Sequence, residues 1–360
     1  MQVKGNPTIL KDVKNIVLIQ LGDIGDVVLS LPSMRALREN FPYARLIVAV
    51  REKAGELITD CPWVDGMISV NQQKRSLFEE VRYQASFVAH LRQFHFDLSV
   101  NLRLGDRSAI LSFLAGARQR ISFYARDGQL WQNRVSTHLN LLEYEVGQYV
   151  ADYYSSLLAA YNVRTSDPLP QLEVPVKKLK QAEVLFVEEQ VPPDLPIIAL
   201  QPFSLWRYKE LATPKYIDLI RGITSTWGFP VILVGSPEER VRASAIAEGS
   251  GAKVYNLAGK TSIGMLAAVL KACALFIGVD SAGMHIAAAV GTPTVSIFGP
   301  SSPASWAPRG PEHLVVHRDL PCVPCRQKGC EGNEQSRCLD ELTVAEVMSA
   351  VATQIGKLKR

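Results

Sequence analysis

Short runs of β-branched and other apolar residues recur along the chain, separated by longer stretches in which apolar positions return at helical spacing. In the first half the runs are Ile16–Leu21, Arg45–Val50 and Leu98–Leu102. In the second half they are Ile197–Leu200, Val231–Val234, Leu275–Ile277 and Thr294–Phe298. Runs of this length read as strands, and strands that alternate with helices imply parallel sheets covered by helices on both faces. Between the two sets lies Thr165–Pro196, which holds Pro168, Pro170, Pro175, Pro192, Pro193 and Pro196. Such a stretch reads as a domain junction, with a helix from about Lys178 to Glu189 inside it. The expected α/β organisation is therefore a Rossmann-like domain over 1–176, a second over 177–342, and a C-terminal helix in 343–360. That helix opens with the capping-box pattern Thr343-x-x-Glu346. Two doubly wound domains are expected to face each other across a cleft, with ligands outside the carboxyl ends of the strands.

A length of 360 residues agrees with two domains, and 47% hydrophobic with 21% charged residues is ordinary for a globular protein. The most apolar stretch, Ala272–Phe298, is broken by Asp280, His285 and several Gly and Pro, so no transmembrane helix is expected. Lys4, Lys11, Asp12 and Lys14 precede only six apolar-leaning residues, which is too short and too charged for a secretory signal, and a cytoplasmic protein is expected. The net charge of +4 is too mild to indicate nucleic-acid binding. Its distribution is uneven: between Leu91 and Val135, Arg92, Arg103, Arg107, Arg118, Arg120, Arg126 and Arg134 face only Asp97, Asp106 and Asp127. An acidic ligand and a solvated basic face both fit that window.

Three segments carry candidate chemistry, each after a strand. Leu21-Gly22-Asp23-Ile24-Gly25-Asp26-Val27-Val28 lacks the third glycine of the dinucleotide fingerprint, which disfavours a nicotinamide enzyme. Its glycines allow close backbone approach, and Asp26 falls where the next helix starts; Asp23 or Asp26 acting only as a helix cap is the alternative. Asp280-Ser281-Ala282-Gly283-Met284-His285 joins a strand to an Ala-rich helix. Asp280 and Ser281 suit an N-cap, Gly283 permits close approach, and a helix start is a ready site for a diphosphate. His285 in that turn can bond a phosphate or a sugar hydroxyl, or serve only the structure. Gln201-Pro202-Phe203-Ser204-Leu205-Trp206-Arg207-Tyr208-Lys209 offers two cations and a hydroxyl suited to phosphate.

The chain resembles the heptosyltransferases of glycosyltransferase family nine. The resemblance rests on Asn256-Leu257-Ala258-Gly259-Lys260-Thr261-Ser262, the Asp280–His285 turn, Ala287-Ala288-Ala289 and Phe298-Gly299-Pro300. It extends to Gly25-Asp26-Val27-Val28 through Leu31-Pro32, to Asp97 and to Gly235–Arg240. It implies the two-domain GT-B architecture and inverting transfer of heptose from ADP-heptose to the lipopolysaccharide inner core at the inner face of the inner membrane, by a peripheral enzyme needing no cofactor for catalysis. By position, Asp26 resembles the catalytic aspartate and Lys209 the phosphate-contacting lysine. Asp280, Ser281, Gly283 and His285 resemble the nucleotide-diphosphate cradle. Ser204 and Glu239 correspond to contacts with the donor phosphate and the ribose. Where the family usually reads Asp-Ser-Gly, this chain has Ala282 and then Gly283. On the acceptor side Gly25, Asp26, Arg103, Arg107 and Arg120 are expected to meet an acidic, lipid-linked glycan. A transferase using another nucleotide sugar, or a silent nucleotide-binding protein, are the rival readings.

Of six cysteines, Cys61 and Cys273 are isolated. Cys322-x2-Cys325-x4-Cys330-x7-Cys338 has the spacing of a four-thiolate structural zinc site, with free thiols as the alternative.

Overall fold

The computed structural model describes residues 2–4, 10, 12–71, 76–126, 130–251 and 254–358; Lys11 and Asp127 lie outside the described residues. The chain forms two compact units, Met1–Pro170 and Gln171–Arg360. The division falls after Pro170 of the Pro-rich stretch. The last helix belongs to the second unit.

Unit 1 runs β1 (Gln2–Lys4), β2 (Asn15–Gln20), α1 (Ile24–Leu29), α2 (Leu31–Asn40), β3 (Arg45–Arg51), α3 (Gly55–Thr59) and β4 (Gly66–Val70). It continues with α4 (Leu77–Arg92), β5 (Leu98–Asn101), α5 (Asp106–Leu114), β6 (Gln119–Phe123), α6 (Leu130–Val135), β7 (His138–Asn140) and α7 (Val150–Ala159). The sheet order is β1-β7-β6-β5-β2-β3-β4, parallel throughout except for the antiparallel edge strand β1. β2 is Asn-Ile-Val-Leu-Ile-Gln, with every residue after Asn15 buried. A continuous apolar run without alternation is what burial on both faces demands.

Unit 2 runs α8 (Val176–Glu188), β8 (Ile198–Gln201), α9 (Thr213–Trp227), β9 (Val231–Leu233), α10 (Arg240–Ser250), β10 (Val254–Asn256) and α11 (Ile263–Lys271). Then come β11 (Leu275–Val279), α12 (Ala282–Ala289), β12 (Thr294–Phe298), α13 (Pro303–Trp306), β13 (His313–His317), α14 (Arg337–Asp340) and α15 (Val344–Leu358). Its six strands, all parallel, lie in the order β10-β9-β8-β11-β12-β13. The core joins sheet residues such as Leu200, Ile277 and Ile297 to Tyr216 and Ile220 of α9 and to Val347, Val351 and Ile355 of α15. The capping box expected at Thr343 is present: Glu346 Oε2 accepts the Thr343 N–H at 2.8 Å.

Leaving aside β1, the sheets share one winding. Starting at β2 or at β8, each chain lays three strands toward one edge and then crosses back to lay three toward the other. The crossing opens a switch point between β2 and β5 in unit 1 and between β8 and β11 in unit 2. At such a point the loops leaving the two central strands diverge to opposite faces, which leaves a crevice at their carboxyl ends. β11 runs to Val279, two residues past the expected end, and so delivers Asp280 directly at its crevice. Among the described residues, no helix is long and apolar enough to cross a membrane.

Candidate functional site

At the first switch point, the turn after β2 starts α1, whose N-cap is Asp23 and whose third residue is Asp26. Asp26 is 8% exposed. Its Oδ1 accepts the Tyr154 hydroxyl at 2.7 Å, and its Oδ2 accepts the Asp23 N–H at 2.9 Å and Arg103 Nη1 at 3.3 Å. Arg103 comes from the loop after β5, the other central strand, and Tyr154 from α7. A carboxylate offers about four lone-pair sites. Three are taken, and the one remaining lies on Oδ1. Gly22 makes the arrangement sterically feasible, because a Cβ there would sit 2.4 Å from Asp26 Oδ2. Asp26 therefore does hold the N-terminus of α1, as the capping alternative requires, and also carries two contacts that no cap needs. Asp23 is the other half of this capping box, its side chain facing the Asp26 N–H, and its Oδ1 also pairs with Arg51 Nη1 at 2.9 Å.

Burial and neighbouring charge fix the states of the two side-chain donors. Burial raises the Tyr154 pKa far above that of an ordinary phenol, and the neighbouring Asp26 charge raises it further, so Tyr154 remains a hydrogen-bond donor. Burial alone would lower the Arg103 pKa; attraction to Asp26 is the first of the influences that outweigh it, and the guanidinium stays cationic.

At the second switch point, Gln201–Lys209 leaves β8 and Asp280–His285 leaves β11. Lys209 closes a short 3-10 turn, Arg207–Lys209, and its Nζ meets Asp280 Oδ2 at 2.6 Å. Asp280 is 6% exposed. Its carboxylate can only accept hydrogen bonds, and Oδ2 is occupied by the Lys209 ammonium. One of the three ammonium hydrogens is used this way. The loop itself is pinned from below. Ser204 N–H donates to Glu210 Oε1 at 3.0 Å, Glu210 is ion-paired with Arg242, and Arg242 stacks over Phe203 at 4.3 Å. Ser204 Oγ accepts Trp206 N–H at 3.3 Å and lies 3.5 Å from the Asp280 carbonyl.

Ser281 is the N-cap of α12, yet its hydroxyl makes no capping bond; Oγ is buried and unpartnered, as is Gln201 Oε1. A helix start with unpaired N–H groups beside an idle hydroxyl is suited to an anion. The glycine one place later than in the resembled motif has a local reason: a Cβ on Gly283 would lie 1.7 Å from Gln201 Oε1. His285 is buried in α12 with its ring edge-on to Trp306 at 6.3 Å. Glu239 Oε2 accepts the Ser236 N–H at 2.7 Å in a capping box, which occupies one side of the carboxylate expected at a ribose.

The arginines of 91–135 do not act as one patch. Arg120 stands at the amino end of β6, away from the crevice, and donates at 2.6 Å to both the Val135 and Ala117 carbonyls, so it is removed from the acceptor side. Arg118 pairs with Asp97 and Arg126 with Glu143. Asp97 is itself structural, accepting the Lys14 and Asn15 N–H groups at 3.0 Å each. Arg107, in the first turn of α5, reaches the Asn71 carbonyl at 3.2 Å. The cysteine reading also changes. Among the described residues no group of three or more His, Cys, Asp or Glu is arranged to hold a metal ion. Cys322 is exposed, whereas Cys338 is buried in α14 with its thiol pushed up to about 11 by burial and then by Cys325 and Cys330.

Two Rossmann-like units of one winding, β1 aside, are the architecture of the GT-B glycosyltransferases. The chain belongs to glycosyltransferase family 9, the heptosyltransferase family, whose pattern matches residues 84–335. It is 29% identical over 336 residues to lipopolysaccharide heptosyltransferase 3 of Escherichia coli, covering 91% of this chain and 95% of that one. It is 23% identical over 332 residues to lipooligosaccharide heptosyltransferase 2 of Campylobacter jejuni, covering 91% and 95%. Its fold is shared with a family 9 glycosyltransferase from Veillonella parvula, at TM-score 0.82 and 21% identity over 98% of this chain and 100% of that one. The E. coli ADP-heptose lps heptosyltransferase II matches at TM-score 0.78 and 21% identity, over 96% and 100%.

Proposed function

We propose that this chain transfers a heptose from ADP-heptose to a hydroxyl of the lipopolysaccharide inner core, with inversion at the anomeric carbon, while held peripherally at the cytoplasmic face of the inner membrane. Family membership and the relatives named as lipopolysaccharide heptosyltransferases support the reaction class. The single observation that carries the mechanism is the free lone pair on Asp26 Oδ1, in a carboxylate otherwise saturated by three donors. In this reading the acceptor hydroxyl gives its proton to Asp26 as its oxygen attacks the anomeric carbon, and the bond to the diphosphate breaks on the opposite side. Lys209, fixed by Asp280, and the α12 start with Ser281 Oγ stabilise the charge that develops on departing ADP. Gly25, Arg103 and Arg107 stand on the acceptor side, where the cations suit a phosphorylated or carboxylated glycan. The assigned steps use side chains and a helix terminus alone.

The test is transfer by purified protein from ADP-heptose to heptose-deficient lipopolysaccharide, read by mass spectrometry, with thermal shifts in ADP, UDP and GDP alongside. A ligand at about 100 times its Kd adds roughly 2.7 kcal/mol. Stabilisation by ADP alone and addition of one heptose mass are expected. Equal stabilisation by UDP or GDP, or no heptose added, would sink the reading.

A further inference from the structure

Tyr154 does nothing in the reaction as derived so far, yet it makes the shortest hydrogen bond to the reacting carboxylate. It lies 128 residues from Asp26 in sequence, is 4% exposed, and donates to Oδ1 at 2.7 Å. Oδ1 is also the oxygen with the free lone pair. Its α7 neighbour Tyr153 stacks on Phe123 of β6 at 4.2 Å, which fixes the helix face against the sheet. Arg103 approaches from a second element and bonds Oδ2, with a further interaction to the Tyr154 hydroxyl. We infer that Tyr154 is the positioning residue for Asp26: its hydroxyl fixes the carboxylate rotamer and directs the one remaining Oδ1 lone pair, so that the acceptor proton can be taken. This rests on Asp26 being the base.

The geometry separates the roles of the two donors. Arg103 supplies charge and remains 39% exposed, where an acidic acceptor can also reach it. Tyr154 supplies direction from a buried, uncharged hydroxyl that no solvent competes for. The other charged groups packed around α1 are committed or distant from Oδ1. Asp23 pairs with Arg51, Arg35 of α2 pairs with Glu39 and Asp167, and Glu52 and Lys53 of the turn after β3 are exposed. None of them replaces a lost Tyr154 hydroxyl.

The experiment is the pH profile of kcat for Tyr154→Phe, with Asp26→Asn and the double variant beside it. Phe keeps the ring and removes only the donor. Expected for Tyr154→Phe is roughly a tenfold lower kcat, unchanged ADP affinity and melting temperature, and an acid limb displaced from that of the wild type, since a hydrogen bond to a charged group is lost. In the Asp26→Asn background the same change should add little further loss, because a positioning residue acts only through the group it positions. An acid limb and kcat left in place by Tyr154→Phe, with turnover collapsing in Asp26→Asn, would overturn the positioning role and spare the base. Near-normal turnover in Asp26→Asn would overturn both. A Tyr154→Phe loss of activity that comes only with a lowered melting temperature and an unmoved acid limb would mark Tyr154 as structural.

Discussion

In the proposed mechanism Asp26 does two jobs with one carboxylate, and substitution separates them. Asn can still accept the Asp23 N–H, but it cannot take a proton. Asp26→Asn is expected to keep ADP affinity and lower kcat by roughly 10²–10⁴, the range for losing a general base, as steady-state kinetics and ADP titration would read. Gly22→Ala should give a similar loss without touching a polar atom, because the new methyl would lie 2.4 Å from Oδ2 and must push the carboxylate aside. On the donor side, Lys209→Ala removes one cation and leaves the buried Asp280 charge facing the phosphates. About 1.5–3 kcal/mol is a typical cost for losing a charged hydrogen bond, roughly 10- to 100-fold in Kd for ADP. The Lys209→Ala, Asp280→Asn double variant should bind ADP more tightly than Lys209→Ala alone, which calorimetry would decide; an equal or weaker double variant would mean that Asp280 does more than hold Lys209. The turns that carry Asp26 and Lys209 were legible because they are glycine- or cation-bearing segments just after strands. Tyr154 was not, since an aromatic on the inner face of a helix looks the same in sequence whether its hydroxyl is used or idle. Arg120 misled for the converse reason: a basic residue in a strand does not announce that its guanidinium is spent on two carbonyls.

The elements followed the apolar runs at β2, β3, β5, β8, β9, β11 and β12 and departed from them at β4, β6 and β7 of the first sheet and at the edge strands β10 and β13 of the second. β2, β3, β8, β11 and β12 are buried nearly throughout, so burial forced continuous β-branched composition that could be read directly. β10 is Val-Tyr-Asn and half-buried, and β13 is flanked by histidines and largely half-exposed. Such edge strands are held by one neighbour and need no apolar run, which is why they left no signal. The cysteine spacing was compatible with zinc, but spacing fixes only separation along the chain, and α14 turns Cys338 into the core. α15 was foreseen as an appended helix and proves to be a wall of the second core, with Val351 and Ile355 no more than 2% exposed. Ile355→Ala should destabilise unit 2 by about 2–5 kcal/mol, as expected for a truncated buried Ile. A urea midpoint for that unit unchanged within error would show that α15 packs only loosely.

For the molecule as a whole, acid stability should depend on a tie that lies far from the chemistry. Glu39 of α2 accepts both the Ser166 N–H at 2.8 Å and the Ser166 hydroxyl at 2.7 Å, and pairs with Arg35. Burial alone would raise its pKa; the bonds from Ser166, Arg35 and Thr165 prevail and lower it from 4.5 to about 2. A depressed carboxylate contributes stability that is complete above the unfolded value and is lost as pH falls toward the folded one. The melting temperature of unit 1 should therefore drop between about pH 4.5 and 2, and Glu39→Gln should lower it at neutral pH while flattening that acid limb. An acid limb equally steep in the variant would remove Glu39 as its source.

The place of α15 in the second core also has a consequence in time. A growing polypeptide emerges from its N-terminus, and domains generally fold as units in that order, at synthesis rates of about 5–20 residues per second. Unit 1 ends at Pro170 and has its whole sheet and α7 in hand by then. Unit 2 has its last strand, β13, by residue 317 but lacks one covering helix until residue 358 has been made. For those seconds the apolar faces of α9 and of β11 to β13 stand uncovered on a nascent chain. Holdase chaperones would find their binding window there, and a ribosome that stalled between residues 317 and 344 would display a finished first unit beside a second one unable to close.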